Sequence, residues 1–189
     1  MTKKRMSFNI PNFLSMLRLL LVPVFFLFMY YYLIGTTAML WYARIVFAVI
    51  MITDFLDGYL ARRWQEITSL GSILDPVADK LFVTASFVLL AAFDKVSAWL
   101  TIIVVAKDIF VSIGWWLMVI LYDKIEVNPS LLGKVATALQ FFTVFTVVMF
   151  PQGFHSILLE FITAAATIAA IIHYGSMAAK LSSGLNGTK

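Results

Sequence analysis

The chain has 189 residues, of which 62% are hydrophobic and 13% are charged, with a net charge of +4 and no cysteine. An ordinary soluble domain has about a quarter of its residues charged, so this composition excludes a soluble globular protein, and the lack of cysteine excludes disulfides and thiolate chemistry. The positive charge favours contact with anionic lipid head groups or phosphate-bearing substrates over contact with nucleic acid.

Apolar segments follow one another along almost the whole chain, each long enough to cross a bilayer as a helix. They cover residues 13–34, 38–61, 75–93, 96–121, 133–150 and 154–179. We therefore expect an all-α integral membrane protein with six transmembrane helices, forming a single domain over residues 1–189. The first segment is expected to be a retained helix, because no small-residue cleavage pattern accompanies it.

The two ends of the chain differ in composition from the apolar segments. Residues 1–11 mix Lys and Arg with Met, Phe and Ile, which is typical of a short segment lying at an anionic membrane interface. Residues 182–189 are expected to be a loose tail. Within the first segment Pro23 predicts a bend, and Pro76 is suited to the first turn of the third helix.

Basic residues in the six-helix interpretation collect on one side, which predicts the cytoplasmic side. The opposite loops, near Gly35, Asp94 and Gln152, contain only Lys95. Both termini are therefore expected to be cytoplasmic. The residues on that side are Lys3, Lys4, Arg5, Arg62, Arg63, Lys80, Lys124, Lys134, Lys180 and Lys189.

Four aspartates occur as two pairs beside apolar segments. Asp54 and Asp57 are three residues apart, and Asp75 and Asp79 are four apart, so on a helix each pair shares one face. Four carboxylates near a bilayer would repel one another and be costly to desolvate unless cations or protons neutralise them. Carboxylates serving only to cap helix ends are the structural alternative, and an ion path in a cation transporter or channel is the functional one.

Oxygen-only ligands predict a hard cation at these aspartates. Mg²⁺ or Mn²⁺ is the expected ion, because zinc sites rely on Cys and His, and the chain has no Cys and two His. Two ions held by four carboxylates would suit a phosphoryl-type transfer, since they stabilise both the attacking and the leaving oxygen. The two histidines, His155 and His173, are expected to serve helix ends or interfaces.

Small residues and one arginine lie between the aspartate pairs. Gly58 and Ala61 leave the helix face shallow for a narrow ligand, Arg62 offers a guanidinium to a phosphate, and Gly71 allows close backbone approach. Taken one at a time, these residues favour a structural interpretation: Gly58 and Ala61 are typical of packing between membrane helices, and Arg62 is typical of a cytoplasmic anchor.

The complete pattern Asp54-x2-Asp57-Gly58-x2-Ala61-Arg62-x8-Gly71-x3-Asp75-x3-Asp79 resembles the signature of the CDP-alcohol phosphotransferase family. Phosphatidylglycerophosphate synthases, one branch of that family, are similar in three further stretches. These are Asn9 to Asn12 with Ser15 and Arg18, then Leu70 to Lys80, and Gly133-Lys134 with Thr137 and Gln140.

The resemblance implies a fold, a reaction and roles for residues. It implies six transmembrane helices, usually in a homodimer, with a site open to the cytoplasm, where an acceptor hydroxyl attacks CDP-diacylglycerol and CMP leaves. Asp54, Asp57 and Asp75 would be metal ligands, and Asp79 both a ligand and the general base. The implied contacts to CDP-diacylglycerol are Asn12, Ser15, Gly58, Ala61, Arg62, Thr68 and Gly71.

The acceptor is less closely specified. The branch implies glycerol 3-phosphate, whose phosphate would bind Lys107, Lys134 and also Lys80. Lys107 either pairs with Asp108 or faces a polar cavity, and we expect the cavity. Phosphatidylglycerophosphate synthases usually have Arg-Glu where this chain has Lys107-Asp108, and cardiolipin synthases of the family have Arg-Asp and a Tyr-Gly comparable to Tyr174-Gly175. Phosphatidylglycerol is therefore the alternative acceptor, followed by inositol phosphate and serine.

Overall fold

A computed structural model describes the backbone of residues 10–64, 71–122, 130–151 and 157–186. Side chains are described for residues 16–54, 56, 80–114, 130–151 and 157–177. Residues 1–9, where most of the expected interfacial segment falls, lie outside these ranges.

Six helices make up the described backbone. Each coincides with one of the six apolar segments, which confirms the all-helical prediction, and every end except the last lies within a few residues of its expected place. The helices are α1 (Ile10–Leu33), α2 (Met39–Trp64), α3 (Gly71–Ala92), α4 (Ala98–Tyr122), α5 (Leu131–Met149) and α6 (Ile157–Asn186).

Two local expectations differ from the structure. Helix α6 continues to Asn186, beyond residue 182 where a loose tail is expected, because no proline interrupts its final turns and an isolated glycine is tolerated in a helix. Pro76 is the sixth residue of α3 and not in its first turn, since the helix begins earlier, at Gly71. Pro23 lies inside α1, and the bend expected there remains a prediction.

Among the described residues, three helical stretches are long and apolar enough to cross a membrane: Met16–Leu33, Leu131–Met149 and Ile157–Met177. Lys80–Ala92 is a shorter apolar helix. These stretches indicate an integral membrane protein built from helices. Six crossings remain a prediction.

The chain forms two compact units, residues 1–82 and residues 83–189. In the first unit α1 packs along α2. The rings of Phe25, Phe47 and Phe82 form its centre, with centroids 5.3–5.9 Å apart, and each side chain is almost completely buried. Aromatic rings at this spacing add attraction beyond their buried area.

Two helices end in the same Schellman motif. After α1, the N–H groups of Thr36 and Gly35 donate to the carbonyls of Tyr31 and Tyr32, and Gly35 has φ +115°. After α3, Lys95 and Asp94 make the equivalent bonds, with Asp94 at φ +53°. A left-handed residue is required at this position, and glycine adopts it without the steric cost that an aspartate has.

In the second unit α6 packs against both α4 and α5. Glu160, in the first turn of α6, is 1% exposed and accepts a 3.0 Å hydrogen bond from the backbone N–H of Ser97, the residue that precedes α4. In a capping box, a glutamate in the first turn makes such a bond to the N-cap of its own helix. Here a different helix provides the carboxylate, which ties the beginning of α6 to the beginning of α4.

Polar side chains join α5 to α6 in the interior of this unit. The hydroxyls of Thr143 and Thr163 are 2.9 Å apart, and the Gln140 amide donates to the Thr167 hydroxyl at 3.0 Å. All four residues are fully buried. Hydroxyls and amides that bond across helices are a usual source of helix association in lipid.

Candidate functional site

The first half of the aspartate pattern lies on the last three turns of α2. The helix continues from Asp54 through Asp57, Gly58, Ala61 and Arg62 and ends at Trp64. Because the helix is unbroken, Asp54 and Asp57 are on one face, as the spacing predicts.

The second half of the pattern opens α3. Gly71 is its first residue, and Asp75 and Asp79 follow at positions that share a face of the same helix. The side chains of Asp57, Asp75 and Asp79 lie outside the described set, so convergence of the four carboxylates remains a prediction.

Asp54 is the aspartate of the four whose side chain is described. One of its oxygens, Oδ1, lies 2.9 Å from Nη2 of Arg18 on α1. The Asp54 side chain is 45% exposed, whereas that of Arg18 is 1% exposed. The carboxylate is thus accessible to an ion or substrate while the guanidinium contacts it from inside the protein.

Sequence reasoning assigned Arg18 no role beyond a family resemblance. A signal was present, since Arg18 is the single charged residue between Arg5 and Arg44. An ionisable side chain in an apolar helix nearly always faces the protein interior and a partner. The partner itself, 36 residues away along the chain, is identified by the packing of α1 on α2.

The donor chemistry around Asp54 fits a divalent cation. Carboxylate oxygens suit Mg²⁺ or Mn²⁺, and the half-exposed position of Asp54 leaves access for hydrated ions. Among the side chains that the structure describes, no three acidic or histidine groups lie together as a metal cluster. The expected cluster needs Asp57, Asp75 and Asp79, which are not among them.

The expected contacts to the nucleotide are placed only by their helices. Asn12 and Ser15 belong to the first turns of α1, and Gly58, Ala61, Arg62 and Gly71 belong to α2 and α3. Their side-chain positions, and all of Thr68, lie outside the described residues. Roles for these residues remain predictions.

Lys107 on α4 is paired with its neighbour in sequence. Its ammonium lies 3.1 Å from Oδ1 of Asp108 and donates a 2.9 Å hydrogen bond to Oε1 of Gln140 on α5. Lys107 is 6% exposed. The structure therefore shows the pair with Asp108 and not the polar cavity that was expected for Lys107.

Lys134 and Lys80 have different surroundings from Lys107. Both are exposed, and Lys134 lies in the first turn of α5. Ser130 caps this helix by accepting a 3.0 Å hydrogen bond from the backbone N–H of Gly133.

The phenol of Tyr174 on α6 lies directly against Gly133, so that a Cβ at this glycine would meet the hydroxyl and ring of Tyr174.

The family model for CDP-alcohol phosphatidyltransferases matches residues 8–177, which is most of the chain. The chain belongs to the CDP-alcohol phosphatidyltransferase family. The matched range includes all four aspartates, Arg18, and the lysines at positions 80, 107 and 134. The resemblance of the aspartate pattern to this family is confirmed.

Curated relatives extend over nearly the same length as this family member. CDP-diacylglycerol–glycerol-3-phosphate 3-phosphatidyltransferase of Pectobacterium atrosepticum is 34% identical over 176 residues, covering 91% of this chain and 92% of the relative. The proteins of the same name from Escherichia coli K12 and Shigella sonnei are each 34% identical over 179 residues, covering 92% of this chain and 96% of theirs.

Proposed function

We propose that this protein is a CDP-diacylglycerol–glycerol-3-phosphate 3-phosphatidyltransferase of phospholipid biosynthesis. The observation that carries the proposal is the 34% identity to enzymes of that name over nine-tenths of both chains. A cation transporter would also use membrane carboxylates, but it gives no reason for Gly58, Ala61, Arg62 and Gly71 at family spacing.

In the proposed reaction a hydroxyl oxygen of glycerol 3-phosphate attacks the phosphorus that bears diacylglycerol. The bond from that phosphorus to CMP breaks, so that phosphatidylglycerophosphate and CMP are formed. Asp79 accepts the hydroxyl proton, which makes the oxygen a better nucleophile. Arg62 binds the diphosphate and stabilises the charge that develops on departing CMP.

The metal ligands in this proposal are Asp54, Asp57, Asp75 and Asp79. Two Mg²⁺ or Mn²⁺ ions bound there would neutralise phosphate charge on both the attacking and the leaving side. The half-exposed Asp54 carboxylate supports this assignment. Asn12, Ser15, Gly58, Ala61, Thr68 and Gly71 are proposed as the further contacts to CDP-diacylglycerol.

Two lysines are proposed to bind the phosphate of the acceptor. Lys134 is exposed in the first turn of α5, where an anion gains from the helix dipole. Lys107 is buried with Asp108, so it would contribute one directed hydrogen bond and little net charge.

The proposal extends to the whole protein in the membrane. The chain would cross the bacterial inner membrane six times as one family domain and pair as a homodimer. Its termini and its site would face the cytoplasm. The uneven distribution of basic residues supports this orientation.

The decisive test is a product screen with purified protein in lipid nanodiscs. CDP-diacylglycerol and Mg²⁺ or Mn²⁺ are supplied with glycerol 3-phosphate, phosphatidylglycerol, inositol phosphate or serine, and CMP release and the lipid product are measured. We expect metal-dependent phosphatidylglycerophosphate from glycerol 3-phosphate alone. Formation of cardiolipin from phosphatidylglycerol would show that phosphatidylglycerol, and not glycerol 3-phosphate, is the acceptor. The absence of CMP release with every acceptor would overturn the enzymatic function.

A substitution separates the base from the other ligands in the same assay. Asp79→Asn is expected to lower turnover by at least about 10²-fold, the range for a general base, while CDP-diacylglycerol still binds. Asp94→Asn is the matched control, because Asp94 is an exposed aspartate in the turn after α3. Near-normal turnover of Asp79→Asn would show that another group takes the proton.

A further inference from the structure

Arg18 is buried in a position where an isolated charge would be very unfavourable. It is the ninth residue of α1, within the candidate membrane span Met16–Leu33, and only 1% of its side chain is exposed. A charged group at such a place needs a partner, and Arg18 has one in Asp54 at 2.9 Å.

We propose that Arg18 is a positioning residue for the metal site: it holds one oxygen of Asp54 so that the carboxylate meets a divalent cation in a fixed orientation. This inference rests on the proposed function, because that function makes Asp54 a metal ligand. Helix α1 thus contributes to the metal affinity of the site through Arg18, although none of the four carboxylates lies on α1.

Burial and charge determine how Arg18 acts. A guanidinium is planar and fixes the direction of the carboxylate it contacts, and the surrounding protein keeps this one in place. Groups that hydrogen-bond to metal ligands orient those ligands, and their loss typically lowers metal affinity or activity by about 10–100-fold. Since the contact uses Oδ1 of Asp54, that oxygen is the one whose direction Arg18 sets.

The charge of Arg18 acts in the opposite direction. A fixed positive charge beside the site repels a divalent cation, so removal of Arg18 would strengthen metal binding if charge were its main contribution. Orientation and charge therefore predict opposite changes in affinity, which makes the inference testable with two substitutions. Arg18→Lys keeps the charge without the planar group, and Arg18→Met removes both.

Arg44 provides a matched control within the same unit. It is also an arginine in an apolar stretch, on α2, ten residues before Asp54. Ten helical residues correspond to about 15 Å along the axis, so Arg44→Met removes a charge from an apolar helix at a distance from the carboxylate.

The experiment measures Mn²⁺ binding without substrates, by electron paramagnetic resonance of free and bound ion in detergent-solubilised full-length protein. Thermal unfolding without metal verifies that each variant is folded. We expect Mn²⁺ to bind about tenfold or more weakly to Arg18→Lys, which keeps the repulsive charge, and at least about fivefold more weakly to Arg18→Met, in which the lost repulsion offsets part of the lost orientation. Arg44→Met should bind Mn²⁺ as the wild type does.

Three results would overturn the inference. They are unchanged or tighter Mn²⁺ binding by Arg18→Met, wild-type binding by Arg18→Lys, and an equal loss in Arg44→Met. If Arg18→Met does not fold, the result for Arg18→Lys decides. The proposed function is tested separately by the wild-type product screen, so an enzyme that makes phosphatidylglycerophosphate with Mn²⁺ affinity independent of Arg18 would retain the function and lose this inference.

Discussion

The hydroxyl of Thr84 on α3 donates a 2.6 Å hydrogen bond to Oδ2 of Asp108 on α4. The other oxygen of Asp108 lies 3.1 Å from the ammonium of Lys107, so the carboxylate is held from both sides. Bonds to charged groups are shorter and stronger than neutral ones. This contact joins α3 to α4 within the second unit.

Removal of the Thr84 hydroxyl should therefore destabilise the second unit. We expect Thr84→Val to lower the free energy of unfolding by about 1.5–3 kcal/mol, the range for a hydrogen bond to a charged group, whereas Thr84→Ser retains the donor and should lose less. Thermal unfolding in one detergent measures both variants. Equal losses in the two would show that the methyl group, and not the hydroxyl, provides the stability.

Gln140 connects Lys107 to Thr167 through hydrogen bonds. Its substitution should weaken binding of the acceptor more than binding of CDP-diacylglycerol. Gln140→Leu removes the 2.9 Å bond that directs the Lys107 ammonium. If Lys107 binds the acceptor phosphate, KM for glycerol 3-phosphate should rise about tenfold, corresponding to roughly 1.4 kcal/mol, with KM for CDP-diacylglycerol unchanged.

Thr167→Val is the control for Gln140→Leu. It removes the opposite end of the same chain of contacts, where Gln140 donates to Thr167 at 3.0 Å, and leaves the Lys107–Gln140 bond in place. It should lower stability without changing KM for the acceptor. Parallel increases in both KM values for Gln140→Leu would assign Gln140 a structural role alone.

Gly133 is required by the closeness of Tyr174. A Cβ at position 133 would lie 3.1 Å from two ring carbons of Tyr174 and closer still to its hydroxyl, so Gly133→Ala should destabilise the α5–α6 contact by about 1–3 kcal/mol. Adding Tyr174→Phe, which removes the hydroxyl, should recover part of that loss. Unfolding of the four proteins of this double-mutant cycle measures the coupling. Strictly additive effects would contradict the predicted clash.

The number of membrane crossings can be read from cysteine labelling, because the chain has no cysteine of its own. With six crossings, Thr36→Cys and Asp94→Cys should react with an impermeant maleimide in intact cells, and Ser182→Cys only after permeabilisation. The two turn residues are exposed in the structure. Labelling of both Thr36→Cys and Ser182→Cys in intact cells would contradict six crossings, since six crossings place these two positions on opposite sides of the membrane.

Much of the architecture follows from local sequence. Apolar runs of spanning length predict the six helices because a buried backbone must satisfy its hydrogen bonds internally. Spacings of three and four residues place each aspartate pair on one helix face. The same spacings, with Gly58, Ala61, Arg62 and Gly71 between them, indicate the family. The sequence shows this pattern directly because its residues lie within single helices and within a short stretch of the chain.

The tertiary structure decided which polar groups meet. Lys107 has a neighbour in Asp108 and a distant partner in Gln140, whereas the sequence favoured a polar cavity for Lys107. Arg18 and Asp54 lie on different helices, and their contact depends on how α1 packs along α2. Helical periodicity is determined by neighbouring residues, whereas the rotation and register of one helix against another depend on side-chain packing along their whole contact. For this reason the sequence by itself determined the helices, the paired aspartates and the family, and the packing alone determined that Arg18 contacts Asp54.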